Sequence, residues 1–218
     1  DRAKFAEQMD KLTAPDAEEK RWAELEPTFN EKKAEVQMQM PMMIGFGRGM
    51  LATTIEQNAE LSVEQKAQSV AALDAFAGWA QTANFMDADL AKKSIAIVCA
   101  TARELDVKTL DAAHALDFDQ ALAKGDIAFA GLKKLLDVYG FSMNQTFESV
   151  KAETVTQTGD DAKVKVNFSL LGKPLDYEAD MVHYEGRWYG KEVLSELQKN
   201  AQGGEIADGA ERDRKSVV

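Results

Sequence analysis

The hydrophobic period of the chain changes from about 3.6 residues to 2 after Phe147, and this change constrains the fold more than any other feature. Before Phe147, apolar residues recur at helical spacing. After it, apolar and polar residues alternate, as they do in half-buried strands. The sequence therefore predicts an α+β protein. A helix-rich first two-thirds should be followed by three or four antiparallel strands and a short C-terminal helix at residues 192–200.

Prolines and capping residues set the expected boundaries of the early helices. Pro27 and Pro41 should each end a helix, because proline lacks the N–H group that a helix interior uses. Thr28 should then cap the helix between the two prolines, with Glu31 reaching back to it. Ser62 and Gln65 form a second capping box before an apolar helical stripe. Asp87 or Asp89 is expected to cap the helix after that.

Glycines and aspartates set the boundaries of the later helices. A helix from about residue 109 to 123 should stop at Gly125, a typical residue just past a helix end. Asp126 should cap the next helix, which ends at Gly140. Phe141 is then placed to close that terminus through an apolar contact.

The strongest strand prediction is a hairpin around residues 171–174. If these four residues form the loop, Phe168 lies beside Tyr177 on the apolar face, and Lys165 lies opposite Asp180 on the polar face. One register thus pairs apolar residues with each other and opposite charges with each other. A fourth strand is expected within residues 147–157.

A second turn at Glu185 and Gly186 should return a short strand that sets His183 beside Trp188. We expect Trp188 to be largely buried between the sheet and the helix that carries Ile127. The predicted organisation is a helical region at 1–105, helices plus the strand meander at 106–201, and a disordered tail at 202–218.

The acidic composition argues against several functions. The formal net charge is −11, so the chain should repel nucleic-acid backbones and anionic lipids.

Cys99 is the single cysteine and lies in an apolar run, where an inert buried thiol is expected. The chain has two histidines, His114 and His183, and no metal-binding spacing. No metal and no cofactor are predicted. Caps account for Asp119 and Asp126, two members of an acidic cluster with Asp117.

Residues 38–55 hold five methionines and three glycines, with Arg48 as their single charge. Gly45 and Gly49 fall at helical spacing and could let another helix approach closely. Burial against the helix after Ser62 is the preferred interpretation, and an interface with another chain is the alternative. Thioether sulfurs can also bind Cu(I), but no cysteine or histidine lies nearby to support such a site.

His183 is the residue with the most chemical interest. The alternation places it on the apolar face at a strand end, where it could serve as a general base in a pocket. The competing interpretation is a histidine at the edge of the core, held by a backbone carbonyl. His114 should be packed between helices.

Three segments resemble parts of bacterial envelope proteins with the cystatin-like cone fold, which nuclear transport factor two shares. They are Ala-Leu-Ala-Lys-Gly-Asp at 121–126, Asp-Asp-Ala-Lys-Val-Lys-Val at 160–166 and Val-His-Tyr-Glu-Gly-Arg-Trp-Tyr at 182–189. The resemblance covers the last hundred residues, and the first hundred are unmatched. It implies a sheet curled around a pocket. The residues expected to line that pocket are Phe168, Tyr177, Met181, His183 and Trp188.

These observations favour a non-catalytic bacterial envelope protein that binds a partner protein or a small apolar ligand. The alternative is a small-molecule enzyme that uses the same pocket with His183 as general base. We expect a periplasmic protein or an envelope-anchored lipoprotein, and a cytoplasmic location is the alternative. No segment of the chain is long and apolar enough to be predicted as membrane-spanning.

Overall fold

The computed structural model describes residues 2–199 and confirms the α+β class: helices come first, and a four-stranded antiparallel sheet and a short helix follow. The helices are α1 (Arg2–Thr13), α2 (Ala17–Gln57), α3 (Val63–Thr82), α4 (Ala88–Leu105), α5 (Leu110–His114), α6 (Phe118–Val138) and α7 (Met143–Glu148). The strands are β1 (Lys151–Thr158), β2 (Asp161–Leu170), β3 (Lys173–Tyr184) and β4 (Arg187–Gly190). Residues 191–199 form α8.

Contacts along the chain define two compact units. Among the described residues, the first comprises 2–148 together with Ser169–Lys173, and the second comprises Ser149–Phe168 and 174–199. The structure thus groups α5, α6 and α7 with the earlier helices. The division that we predicted at residue 105 stays a prediction, and the tail at 202–218 lies outside the described residues.

The helical unit is built around α2 and α4. Helix α2 packs against α3 and α4, while α4 packs against α1 and α6. Small side chains dominate the buried positions, since Ala17, Ala75 and Ala102 are nearly inaccessible and Cys99 is fully buried. Such residues let the helices approach one another closely.

Helix α2 contradicts the boundaries expected at Pro27 and Pro41. It runs for 41 residues with both prolines inside it, so Thr28 and Glu31 form no cap. A proline in a helix interior costs about 3 kcal/mol. The surrounding residues are mostly strong helix formers, and contacts with α3 and α4 add to their preference. Propensity and packing together outweigh the proline penalty.

The boundaries expected at Gly125 and Asp126 are also wrong. The Asp117 side chain accepts a hydrogen bond from the Gln120 N–H, and the Gln120 side-chain oxygen accepts one from the Asp117 N–H. Helix α6 starts there and continues through Gly125. Gly140 does end α6, as predicted: it has φ of 80° and donates to Asp137, while the Phe141 N–H donates to the Leu136 carbonyl. The capping box at Ser62 and the Asp87 cap are confirmed.

The sheet has the order β1-β2-β3-β4, in which sequential strands are neighbours. The loop between β2 and β3 holds two residues, Leu171 and Gly172, both with positive φ, where we expected four. Lys165 therefore contacts Asp176, at 3.0 Å, and Lys163 approaches Asp180, at 3.8 Å. The expected pairing of Lys165 with Asp180 is wrong in register.

Other features of the sheet agree with the prediction. Phe168 and Tyr177 are in edge-to-face contact, with ring centroids 6.3 Å apart. The turn at Glu185 and Gly186 is confirmed, and it pairs His183 with Trp188 across β3 and β4.

Candidate functional site

The methionine face is an exposed apolar stripe on α2 formed by Met38, Met42, Phe46 and Met50. These residues recur every four positions and so lie on one side of the helix. Met38 is 75% exposed and Phe46 is 71% exposed. Met43 and Leu51 extend the exposed apolar surface. These large apolar side chains are therefore as exposed to solvent as charged side chains usually are.

The burial predicted for this segment is wrong. A Cβ atom added to Gly45 or Gly49 would meet nothing within 4 Å, so neither glycine lies against a neighbouring helix. Helix α2 instead buries Phe29 and Ala52 and half-buries Ile44. The glycines leave bare backbone beside the large side chains of the methionine face.

Charge is absent from the middle of this face and present at its ends. Arg48 lies on another side of α2, where its Nε donates to Asp74 Oδ1 at 2.8 Å. This ion pair lowers the pKa of Asp74 and raises the pKa of Arg48. Exposed carboxylates lie beyond both ends of the stripe: Glu35 is three residues before Met38, and Glu56 is six residues after Met50.

A groove of about 490 Å³ lies next to the methionine face. Met43, which extends the exposed apolar surface of the methionine face, also lines the groove, and Phe85 and Ala80 form the opposite wall. The full lining consists of Val36, Gln39, Met40, Met43, Ile44, Ala80 and Phe85. A side chain from a bound molecule could enter this groove while the rest of that molecule covers the stripe.

A second cleft, of about 440 Å³, opens within the helical unit. Its lining is Leu12, Arg21, Trp79, Phe85, Ser94, Ile95, Val98, Leu135, Leu136 and Tyr139. Sequence reasoning missed it, because its aromatic residues come from α3, the following loop and the end of α6. Single residues so far apart in the chain carry no shared pattern.

The five residues predicted to bind a ligand lie on one face of the sheet. Tyr177, Met181 and His183 alternate along β3 and therefore share a side. Phe168 contacts Tyr177, and the rings of His183 and Trp188 lie 5.2 Å apart. Trp188 is 41% exposed, so the expected burial of this residue is wrong. Whether this face binds a ligand stays a prediction.

His183 has a carboxylate partner that its own strand does not supply. Its Nδ1 lies 3.2 Å from Oδ1 of Asp160, in the turn between β1 and β2. The backbone N–H of His183 also donates to the Asp160 carbonyl, at 2.7 Å. A general base is commonly oriented by such a partner. Both side chains are accessible to solvent.

The structure gives each of the other candidate residues either a structural role or no neighbouring group with which to carry out chemistry. Cys99 is fully buried, and burial raises its pKa, which keeps the thiol protonated and unreactive. His114 is exposed at the end of α5, so its expected packing between helices is wrong. Asp117 is a helix cap. Among residues 2–199, no cluster of three or more His, Cys, Asp or Glu side chains could hold a metal ion.

Comparison with known proteins adds no assignment. No family model, curated protein or solved structure matches the chain. Within residues 2–199, no helix combines the length and apolar character needed to cross a membrane. The resemblance to cystatin-like envelope proteins stays a prediction.

Proposed function

We propose that this protein acts by contact and that its methionine face binds a basic amphipathic helix of a partner protein. The observation that carries the proposal is the exposed, uncharged stripe on α2, with carboxylates beyond both ends. Contiguous exposed apolar surface of this kind typically marks an interaction site. An amphipathic helix in a groove is a common way to cover it.

The side chains of the face suit a helical partner. Methionine is flexible and polarisable, so it adapts to the shape of the side chains that cover it. Gly45 and Gly49 leave space for close backbone approach. The groove beside Met43 offers room for one large apolar anchor, the kind of residue that supplies most of the affinity at protein interfaces.

Electrostatics favour a basic partner. The chain has a net charge of −11, and Glu35 and Glu56 bracket the apolar stripe. Lysine or arginine residues at both ends of a partner helix would lie near these carboxylates. Such complementarity raises association rates and makes them sensitive to salt.

The bacterial envelope location and the cystatin-like cone belong to the same proposal. An envelope protein with no enzymatic role fits a function carried out through surface contact. The aromatic face of the sheet, with Tyr177 and Trp188, is a further place where a partner or a small apolar ligand could bind. Subcellular fractionation of the native host would test the location separately from the binding.

The proposal can be tested with a defined peptide probe. The probe is an amphipathic helix of about 20 residues, roughly 30 Å long, with leucines on one face and lysines at both ends. Calorimetry should give micromolar binding that weakens as salt rises. Phe46→Gln should reduce affinity by about tenfold or more. Phe118→Gln is the matched control, since Phe118 is 80% exposed and lies on α6, a different helix from the stripe.

Three outcomes would overturn the proposal. They are no binding of the peptide, equal loss of affinity in the two phenylalanine variants, and equal binding of a peptide with glutamates in place of the lysines. Binding to anionic phospholipid vesicles that requires Phe46, without peptide binding, would assign the face to membranes instead.

A second candidate function is general-base catalysis by His183, favoured by the Asp160 carboxylate 3.2 Å from its ring. Hydrolysis of an activated ester, p-nitrophenyl acetate, gives a simple test. His183→Gln should abolish most of the rate above background, and His114→Gln should leave it unchanged. Equal rates in both variants would remove this candidate.

A further inference from the structure

We propose that the 440 Å³ cleft of the helical unit binds an aliphatic carboxylate, with the hydrocarbon chain in the cleft and the carboxylate at Arg21. Of the residues that line the groove beside the methionine face, this cleft shares Phe85 alone. Its walls come from α1, α2, α3, α4 and α6 and from the loop before α4. Small-molecule sites typically combine this size with mostly apolar walls and a few polar groups.

The walls favour a hydrocarbon chain. Leu12, Ile95, Val98, Leu135 and Leu136 supply aliphatic surface. An apolar cavity of roughly 150 Å³ is enough to bind benzene. The volume here is about three times larger, so the cleft has room for a chain of many methylene groups. Each methylene that leaves water should then increase affinity until the cleft is full.

Most polar atoms of the lining are already used within the protein. The Trp79 Nε1–H donates to the Tyr139 carbonyl, at 2.7 Å. Ser94 Oγ is 2.9 Å from the Leu90 carbonyl and 3.1 Å from the Tyr139 hydroxyl. These contacts leave the middle of the cleft with apolar character. A ligand with several polar groups along its length would therefore fit poorly.

Arg21 supplies the charge that selects an anionic head group. Its side chain is 23% exposed, and its Nη1 donates to the exposed Glu24 at 3.1 Å. A guanidinium has five N–H donors, so a ligand carboxylate can bind beside Glu24 or replace it. The nearby Glu7 is paired with Lys11, at 2.6 Å. One cation at the end of an apolar cleft matches one carboxylate at the end of an aliphatic chain.

Trp79 provides a reporter inside the cleft. The chain has three tryptophans, so replacing Trp22 and Trp188 with phenylalanine leaves Trp79 alone. Decanoate should change its fluorescence with a dissociation constant on the order of 10–100 µM, as expected for about twelve non-hydrogen atoms. Across octanoate, decanoate and dodecanoate, affinity should rise by about fourfold for each methylene until the cleft is filled.

Substitutions in the cleft test where each end of the ligand binds. Arg21→Gln should weaken decanoate binding by at least about fivefold, whereas Lys20→Gln, a surface neighbour paired with Asp16, should not change it. Val98→Phe should block the cleft. Because Val98 is 40% exposed, the added ring can be accommodated without loss of the fold, which circular dichroism would verify.

The proposal fails if decanoate leaves Trp79 fluorescence unchanged below its micelle concentration. It also fails if Val98→Phe, once shown to be folded, binds as tightly as the parent protein. Equal binding of decanol and decanoate, unaffected by Arg21→Gln, would contradict the role assigned to the guanidinium. Loss of decanoate binding in Val98→Phe with unchanged peptide binding would separate this site from the methionine face.

Discussion

Arg103 of α4 holds Glu18 of α2 in a two-pronged ion pair, with Nη1 to Oε1 at 2.6 Å and Nη2 to Oε2 at 2.7 Å. The same Nη2 donates to the carbonyl of Ala14, at 2.8 Å. One guanidinium therefore binds both the start of α2 and the turn that follows α1. This planar, bidentate geometry is available to arginine and not to lysine.

Replacing Glu18 should make the stability of the fold less dependent on pH in the acidic range. The Arg103 guanidinium lowers the pKa of Glu18 from 4.5 to about 2. A lowered pKa means that the ion pair stabilises the fold fully above pH 4.5 and stops doing so as pH falls to about 2. Glu18→Gln should therefore lower the urea midpoint at pH 7, and its difference from the parent should shrink through that window.

The adjacent Glu19→Gln is the control for this pH series, because Glu19 is an exposed residue on the same turn of α2. It should show little change at any pH. A difference between Glu18→Gln and the parent that stays constant from pH 7 to pH 2 would contradict the assigned ion pair.

Two glycines of α6 should respond in opposite directions to the same substitution. A Cβ on Gly131 would lie 3.0 Å from the Thr101 Cβ and closer still to the other side-chain atoms of Thr101. Gly131→Ala should destabilise the protein by about 1–3 kcal/mol through overpacking. Gly125→Ala meets nothing within 4 Å and should stabilise it by about 0.5–1 kcal/mol through helix propensity. Denaturant melts would measure both, and equal signs would refute the close packing of α4 on α6.

Cys99 should react with a thiol reagent only after the helical unit opens. Its side chain is fully buried, and burial raises its pKa. Labelling by a disulfide reagent at pH 8 should therefore be slow in buffer and fast in denaturant. Rapid labelling under native conditions would show that the α4 core is open in solution.

Trp188→Ala should have a small effect on stability. A fully buried tryptophan would cost about 3–5 kcal/mol on truncation, but Trp188 is 41% exposed. We expect a loss of about 1–2 kcal/mol, mainly from its contact with His183. Thermal denaturation would measure it, and a loss above about 3 kcal/mol would mean that the ring is more enclosed than its exposure indicates.

The faces of the strands could be predicted, but the register of the central hairpin could not. Alternation determines which residues share a face, and a two-residue shift leaves those faces unchanged. Phe168 and Tyr177 thus remain in contact although the loop is shorter than expected. The observed two-residue loop requires a positive φ at Leu171, which is uncommon for a residue of this size. The sequence therefore favoured the longer, four-residue loop.

Helix boundaries failed where local signals compete with packing. Pro27 and Gly125 are breakers in isolation, yet both lie inside helices that contact other helices. The signals that succeeded, such as the Ser62 cap and Gly140, also form local hydrogen bonds in the structure. A cap satisfies backbone groups directly, whereas a breaker only removes part of the preference for helix.

The candidate surface was visible in the sequence, but its exposure was not. Residues 38–55 stand out in the sequence because they hold almost no charge, which is usual for a buried segment. Whether other helices cover the segment depends on which side of α2 they pack against. That information lies in tertiary contacts, and the same limit concealed the cleft around Trp79.

Methyl NMR of the nine methionines provides the most direct test of the proposed docking surface. The protein would carry labelled methionine methyl groups and be titrated with the basic amphipathic peptide. The signals of Met38, Met42, Met43 and Met50 should shift together and saturate with one affinity, while those of Met9 and Met143 stay in place. Shifts confined to Met181 on the sheet, or no shifts at any methionine, would contradict binding at the methionine face.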